Sequence, residues 1–432
     1  MAVRHAILGI NPLSFPIKGL VSLKSLLGLR FLYLSDLSEF QVHSPTKMSK
    51  YSDPLWYAPK PYQPKDRLTF GVEIEVALAS LPKDREDPNP EDLRACYGVD
   101  DGDFPHKSEN ARRHIARTLE RANLQVEFQP GSSTDAFGYK SEWVAKDPSS
   151  WVVKMDEDVL PPEGAGTVYQ WHGIELNSPP LYYSEDAVKE VMFVLELMSN
   201  TYRCALTRRT ALHVHVGNGA KGFSAETIQK LLSTYWTFEP QIELIHPLFR
   251  IDNQATASLR RGSDLAKGVL VERSKRNNKG FIEYILQDRN RDIAKLEMMS
   301  KSVAANVTDE DRSAVNIQPL AMAVKYGGTK KTIEFRQHTS TLDPQELAHW
   351  INLVVGILEF ADTVEKDALV PFLDEYIDKT PREFGLEKAL VKLGMPSEAK
   401  YFGKVAADMS RLKAASKRNA DAWVLTGITQ NK

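Results

Sequence analysis

The residues best suited to chemistry are acids and histidines that alternate with apolar residues. In the segment 68–76, Glu73 and Glu75 fall on one side of a strand while Leu, Phe, Val and Ile side chains occupy the other. A rise of about 3.3 Å per residue puts these two carboxylates roughly 7 Å apart along the strand. A surface strand with solvated acids has the same pattern, so this segment alone does not define a site.

Three further segments show the same alternation. Their polar faces carry Glu175 in 167–176, His213 and His215 in 212–216, and Glu334, Arg336 and His338 in 332–338. On one shared surface these carboxylates would repel one another unless cations neutralised them, and oxygen-rich sites with an imidazole suit Mg²⁺ or Mn²⁺. An arginine beside such acids can pair with phosphate oxygens through its planar fork. The pattern therefore predicts a divalent-metal site that handles phosphate.

The histidine pair leaves an alternative open. Two imidazoles on one strand face, with an acid nearby, can bind zinc and activate water for hydrolysis, or one of them can simply hydrogen-bond in a buried layer. Other chemistries are less well supported. The chain has no G-x-x-x-x-G-K-[ST] loop and no G-x-S-x-G motif, and Cys204 lies among residues typical of a core.

Composition limits the partners and the compartment. The 432 residues include 55 basic and 57 acidic side chains, and the net charge of -2 provides no global attraction for nucleic acid. Two cysteines indicate a reducing compartment, and no apolar run reaches the roughly 18 to 20 residues of a membrane helix. We therefore expect a cytoplasmic protein that binds neither nucleic acid nor membrane. The sequence does not indicate its oligomeric state.

The first 65 residues differ in composition from the rest of the chain. Before Asp36 the charged residues are all basic, and the apolar residues between them are consistent with the amphipathic helix of a mitochondrial transit peptide. Translation from Met48, which opens a polar leader, explains the same composition without a transit peptide. A proline-rich stretch follows, so we expect residues 1–65 to be a disordered or extended leader and arm.

The body of the chain predicts one large domain. Residues 66–365 mix short strands with amphipathic helices, for which Ser184, Ser224 and Asp343 are the expected N-caps. Within it, residues 259–312 are polar and predict a solvated insertion, a mobile lid or a phosphate-binding segment. Residues 366–432 predict a helical extension.

Four motifs in order resemble a known family. They are Phe-Gly-Val-Glu-Ile-Glu at 70–75, Gly-Ile-Glu-Leu-Asn-Ser-Pro-Pro-Leu at 173–181, Leu-His-Val-His-Val-Gly at 212–217, and Thr-Ile-Glu-Phe-Arg-Gln-His at 332–338. Their order and spacing resemble the amidoligase family common in fungi, which is similar to the glutamine synthetase and glutamate–cysteine ligase superfamily. The resemblance implies an α+β fold, with a curved antiparallel sheet of the glutamine synthetase catalytic type and helices packed on one face.

The resemblance also implies roles for individual residues. Metal ligation is implied for five side chains: Glu73, Glu75, Glu175, His213 and Glu334. Arg336 and Glu75 correspond to catalytic positions, and His215, Arg336 and His338 to positions that contact the nucleotide.

The implied reaction joins a small-molecule or peptide carboxylate to an amine. ATP with Mg²⁺ or Mn²⁺ would activate the carboxylate as an acyl phosphate, and the amine would then displace phosphate. The alternatives are the zinc-dependent hydrolase and a family member that binds nucleotide without turnover.

Overall fold

A computed structural model describes the chain over residues 68–82, 85–96, 98–99, 106–130, 145–166, 168–251, 256–268, 270–301 and 312–416. The predicted leader and arm (1–65) lie outside these residues, as do positions 417–432 of the expected C-terminal extension. What was predicted for those stretches stays a prediction.

The strands of the described residues form one mostly antiparallel sheet. They are β1 (Thr69–Pro82), β2 (Gly98–Val99), β3 (Val126–Phe128), β4 (Trp151–Met155), β5 (Gln170–Asn177), β6 (Leu181–Tyr182), β7 (Cys204–Ala205), β8 (Ala211–Gly217), β9 (Val315–Asn316) and β10 (Thr332–Thr339). The order across the sheet is β3-β4-β5-β1-β8-β10-β9, with β2, β6 and β7 paired to β1. Only the β3–β4 and β1–β2 pairs are parallel. The four predicted strands are β1, β5, β8 and β10.

The described helices are α1 (His106–Arg121), α2 (Glu185–Thr201), α3 (Ala225–Ile242), α4 (Leu259–Gly262), α5 (Asn278–Ile285), α6 (Ile293–Ser300), α7 (Gln318–Tyr326), α8 (Pro344–Thr363), α9 (Lys366–Tyr376), α10 (Leu386–Lys392) and α11 (Pro396–Ser416). Three begin at the predicted caps. Ser184 and Ser224 accept hydrogen bonds from the amides of Ala187 and Thr227, and Asp343 caps α8.

Helices cover the apolar face of the sheet. Phe70 of β1 packs edge-on against Tyr183, which precedes α2, and Phe335 of β10 packs against Tyr235 of α3. These side chains belong to one continuous core that also includes Trp350 of α8. The strands bury one face because apolar residues recur at every second position, which leaves the opposite face for polar side chains. The predicted α+β class is confirmed. No described helix is long and apolar enough to cross a membrane.

The segment 259–312 is more deeply packed than its polarity suggested. Trp236 of α3 stacks at a tilt on Phe281 of α5, with ring centroids 4.9 Å apart, and Gln229 of α3 donates to the carbonyl of Ile285. Leu296 of α6 is fully buried. One face of α5 and of α6 joins the core, because their few apolar residues fall on that face. The insertion or lid expected for this segment stays a prediction. Residues 302–311 lie outside the description.

A buried carboxylate anchors the start of this segment. Glu239 of α3 accepts hydrogen bonds from the amides of Leu259 and Arg260 and from the hydroxyl of Ser258, at 2.8 to 3.0 Å. Burial, with a smaller contribution from Glu243, raises the pKa of Glu239 to about 7, although the two backbone hydrogen bonds oppose the shift. Glu239 thus fixes α4 against α3.

The link between β4 and β5 depends on a glycine. The carbonyl oxygen of Asp156 lies so close to Gly173 that a Cβ there would sit 1.9 Å from it, whereas a Cβ on Gly71 of β1 would come no nearer than 3.5 Å to the Ser178 hydroxyl. Only glycine lets the backbone after β4 cross β5 at this point, and this crossing sets the position of Asp156.

We predict that Gly173→Ala destabilises the protein far more than Gly71→Ala. The new methyl group must displace backbone at 173, at a cost of about 2 to 3 kcal/mol in the free energy of unfolding, whereas at 71 it meets an ordinary contact. Urea denaturation of both variants measures the difference. Equal losses of stability would contradict this account of the crossing.

We also predict that Glu239 makes stability depend on pH. With a raised pKa, the native state holds a proton between pH 4.5 and 7 that the unfolded state has released. The resulting stabilisation is fully present at the lower pH and is lost as the pH rises through 7, by on the order of 3 kcal/mol. Urea denaturation from pH 4.5 to 8 should show this dependence in the wild type and in the exposed control Glu163→Gln, and a flatter one in Glu239→Gln. An identical pH dependence in Glu239→Gln would exclude the assignment.

Candidate functional site

The register of three adjacent strands builds the site. Glu73 of β1 pairs with His213 of β8, and Glu334 of β10 pairs with His215 of β8. Residues opposite one another in antiparallel strands project to the same face, so these four side chains meet on the face of the sheet opposite the apolar core. Glu75 adjoins them on β1. The sequence predicted a shared polar surface, and the structure brings these residues together.

A potential metal-binding triad lies at the centre of this surface. One ligand atom each from Glu73, His215 and Glu334 lies within 4.8 Å of the others. The Nε2 atom of His215 is 3.0 Å from Glu73 Oε1 and 3.9 Å from Glu334 Oε1. Two carboxylates and one imidazole are a donor set that fits Mg²⁺ or Mn²⁺, with positions left for water or substrate oxygens.

His213 lies among the same carboxylates. Its Nδ1 atom is 3.1 Å from Glu73, 3.5 Å from Glu334 and 3.7 Å from Glu75. Burial, aided by the positive charge of Arg336, lowers the pKa of His213 to about 4, despite the nearby acids. The imidazole is therefore neutral at physiological pH, which is the form that can ligate a metal. The geometric triad contains His215 rather than His213, whereas the resemblance implied His213 as the ligand.

The triad carboxylates are held as anions. Burial alone would raise the pKa of Glu73, but His215, His213 and Lys330 outweigh it and hold that pKa well below the ordinary value. The pKa of Glu334 falls to about 2, because Arg336 and the two histidines more than offset burial. Two ionised carboxylates in a buried setting are strong ligands for a divalent cation.

Glu75 and Glu175 form a second acidic pair beside the triad. They are cross-strand neighbours on β1 and β5. Burial raises the pKa of both, and other acids add to the effect, Asp156 being common to both. Glu75 accepts a hydrogen bond from the amide of Ala211 at 2.8 Å, and Glu175 lies 3.4 Å from the ammonium of Lys154. Their charge is less well compensated than that of the triad, so a cation or a proton would stabilise them.

Arg336 reaches the site because a β-bulge redirects strand β10. Between the pairs Phe335–Val214 and His338–Leu212, β10 has two residues where β8 has one. The guanidinium of Arg336 donates to Glu334 Oε1. Its Nε is buried without a hydrogen-bond acceptor in the described part of the chain, so one donor of the fork is available to a ligand.

The same bulge moves His338 away from the site. Strict alternation put His338 on the polar face with Glu334 and Arg336, and this placement is wrong. The extra residue reverses the alternation, so His338 pairs with Leu212 and turns into the core, where its ring lies 4.9 Å from that of Trp350. The structure does not bring His338 to the predicted nucleotide site.

Arg250 stabilises the bulge by hydrogen bonds to its backbone carbonyls. This buried guanidinium donates from Nη2 to the carbonyl oxygens of Arg336 at 2.5 Å and His338 at 3.3 Å, and from Nε to that of Gln337 at 3.4 Å. Burial lowers the pKa of Arg250 to about 10, so it stays charged at neutral pH. Three successive carbonyls thus share one cation, and this fixes the backbone from which Arg336 extends.

Sequence reasoning missed several residues at the site. Asn316 of β9 donates its amide to Glu334 at 2.9 Å, Lys154 pairs with Glu175, and Lys330 lies 3.7 Å from Glu73. Lys154 is the one charged residue within the apolar strand β4, which is a usable signal, whereas the two-residue strand β9 is too short for a periodic pattern. Nothing local to Arg250 indicates that its partners lie 86 to 88 residues further along the chain.

We predict that Arg250→Lys destabilises the protein by about 1 to 3 kcal/mol, because an ammonium cannot replace the fork and leaves buried carbonyls unsatisfied. Chemical denaturation measures the loss, with Arg411→Lys as the matched control, since Arg411 is exposed on α11. A loss no larger than that of the control would show that Arg250 does not support the bulge.

Comparison with known proteins identifies a family. A family model described as "Putative amidoligase enzyme" matches residues 66–358. A search of the curated proteins found no match. The matched range starts just before β1 and ends within α8, so it includes all of the acids, the histidines and Arg336 described above. Since the match spans more than half of the 432 residues, the chain belongs to this amidoligase family.

Proposed function

We propose that the protein is an ATP-dependent carboxylate–amine ligase that works through an acyl phosphate. The family supports a ligase-type enzyme. The observation that carries the finer proposal is the contact between Arg336 and Glu334, because Glu334 belongs to the triad of potential metal ligands. Cation ligands and a guanidinium on one surface are the groups that transfer of a phosphoryl group requires.

The residues fit the roles as follows. Glu73, His215 and Glu334 would hold a divalent cation, with His213 beside them, and Glu75 and Glu175 are placed to bind a further one. A bound cation neutralises phosphate charge so that the carboxylate substrate can approach the nucleotide. Arg336 would contact the transferred phosphoryl group through its available Nε donor.

The proposed reaction has two steps. An oxygen of the substrate carboxylate takes the terminal phosphoryl group of ATP, and ADP leaves. The neutral amine then attacks the acyl carbon, the amide bond forms, and inorganic phosphate leaves with the electrons of the broken C–O bond. A carboxylate of the site that holds no cation would accept the proton that the amine loses.

We further propose that the sheet is of the curved, glutamine synthetase type. The support is an open, mostly antiparallel sheet whose polar face collects the acids while helices pack on the other face. The zinc-dependent hydrolase remains the second candidate, because His213 and His215 both approach Glu73 closely. Tightly held stoichiometric zinc in the purified protein, together with hydrolysis that does not need ATP, would favour it.

We predict that Arg336→Lys lowers ADP release at least about a hundredfold, because the ammonium keeps the charge but loses the fork that spans phosphoryl oxygens. The assay screens pairs of amino acids, polyamines and small peptides with Mg²⁺ or Mn²⁺. Arg411→Lys is the control and should match the wild type. Thermal unfolding shows whether each variant is folded.

Two outcomes would contradict the proposal. One is wild-type ADP release by a folded Arg336→Lys variant. The other is release that persists in Glu73→Gln, which removes the charge of one proposed ligand while keeping its size.

A further inference from the structure

A basic loop enters the site from the edge of β10. Residues 327–331 connect α7 to β10, and Gly327, with a φ of 76°, ends the helix in the left-handed conformation. Two lysines follow and point in different directions. The Nζ of Lys330 lies 3.7 Å from Glu73 Oε1, whereas the Nζ of Lys331 donates to the carbonyl of Ala220 at 2.9 Å.

Lys330 contacts the atom that a metal ion would use. Glu73 Oε1 is also the oxygen that lies 3.0 Å from His215 Nε2 within the triad. The ammonium therefore places a positive charge beside the ligand set, and this charge contributes to the low pKa of Glu73. A divalent cation on Glu73 would compete with it directly, since two cations that share one carboxylate repel each other.

The side chain of Lys330 can move away from Glu73. This side chain is 60% exposed, and the 3.7 Å between its Nζ and Glu73 Oε1 is longer than a hydrogen bond. Arg336, further along β10, pairs with Glu334, the other triad carboxylate, so each of the two triad carboxylates has a cationic side chain beside it. A ligand with several negative charges, such as a polyphosphate, suits such a pair better than a single carboxylate does.

We propose that Lys330 alternates between two partners, pairing with Glu73 when the site holds no cation and with a phosphate oxygen of a bound nucleotide once a divalent cation occupies Glu73. This inference rests on the proposed function, because it assumes that the site binds cation and nucleotide together. It assigns Lys330 two opposite effects: its charge weakens the binding of the cation alone and strengthens the binding of the nucleotide.

The first part of the test measures Mn²⁺ alone. Electron paramagnetic resonance titration of the full chain gives the Mn²⁺ affinity of the wild type, Lys330→Gln and Lys331→Gln in the absence of nucleotide. We expect Lys330→Gln to bind Mn²⁺ about two- to fivefold more tightly, which is the strength of an exposed ion pair. Lys331→Gln removes the same charge from the same loop and should bind as the wild type does.

The second part measures a non-hydrolysable ATP analogue at saturating Mn²⁺ by calorimetry. We expect Lys330→Gln to bind it about five- to tenfold more weakly, because one charge-assisted hydrogen bond is lost, and Lys331→Gln to bind it normally. Opposite signs in the two parts support the proposal. Unchanged or weakened Mn²⁺ binding by Lys330→Gln overturns it, as does unchanged binding of the analogue.

The experiment distinguishes failure of the proposed function from failure of the role proposed for Lys330. If the wild type itself does not bind the analogue at saturating Mn²⁺, the proposed function fails and this inference fails with it. If the wild type binds the analogue and Lys330→Gln behaves like Lys331→Gln, only the role of Lys330 is wrong.

Discussion

Negative charge concentrated on one face of a sheet is the constraint on which this structure depends. Glu73, Glu75 and Glu334 lie within 4 Å of the single imidazole nitrogen of His213. Most of their surface is removed from water, and buried carboxylates are costly unless they are paired or bind a cation. The protein supplies Arg336, Lys330 and the amide of Asn316 as partial compensation. A bound divalent cation would complete it.

The backbone features around the site follow from this constraint. The bulge in β10 lets Arg336 reach Glu334 while Gln337 and His338 turn toward the helices, where Tyr235 donates to Gln337. Arg250 donates hydrogen bonds to the three backbone carbonyls of the bulge. Burying a second arginine beneath the first is costly, and the three carbonyls compensate for it. The site is therefore built in two layers: the acids and Arg336 on the polar face of the sheet, and the groups that hold the bulge beneath them.

The sequence predicted the strands that carry the acids because alternation of apolar and polar residues, over segments of five to ten residues, is a local signal. It predicted three helix starts for the same reason, since Ser184, Ser224 and Asp343 are caps followed by periodic apolar residues. The sequence-based prediction failed where the structure depends on contacts between residues that are far apart in the sequence. Alternation counted from Glu334 misplaces His338, because a bulge depends on pairing with another strand. The polarity of 259–312 hid helices whose few apolar residues suffice to join the core, such as Phe281.

The central claim is that the polar face of the sheet binds a divalent cation between Glu73, His215 and Glu334. The most direct measurement is anomalous diffraction from crystals of the protein soaked in Mn²⁺. The account predicts a strong anomalous peak enclosed by these three side chains, with the Lys330 ammonium moved away from Glu73. An empty triad, with Mn²⁺ bound elsewhere or not at all, would contradict it.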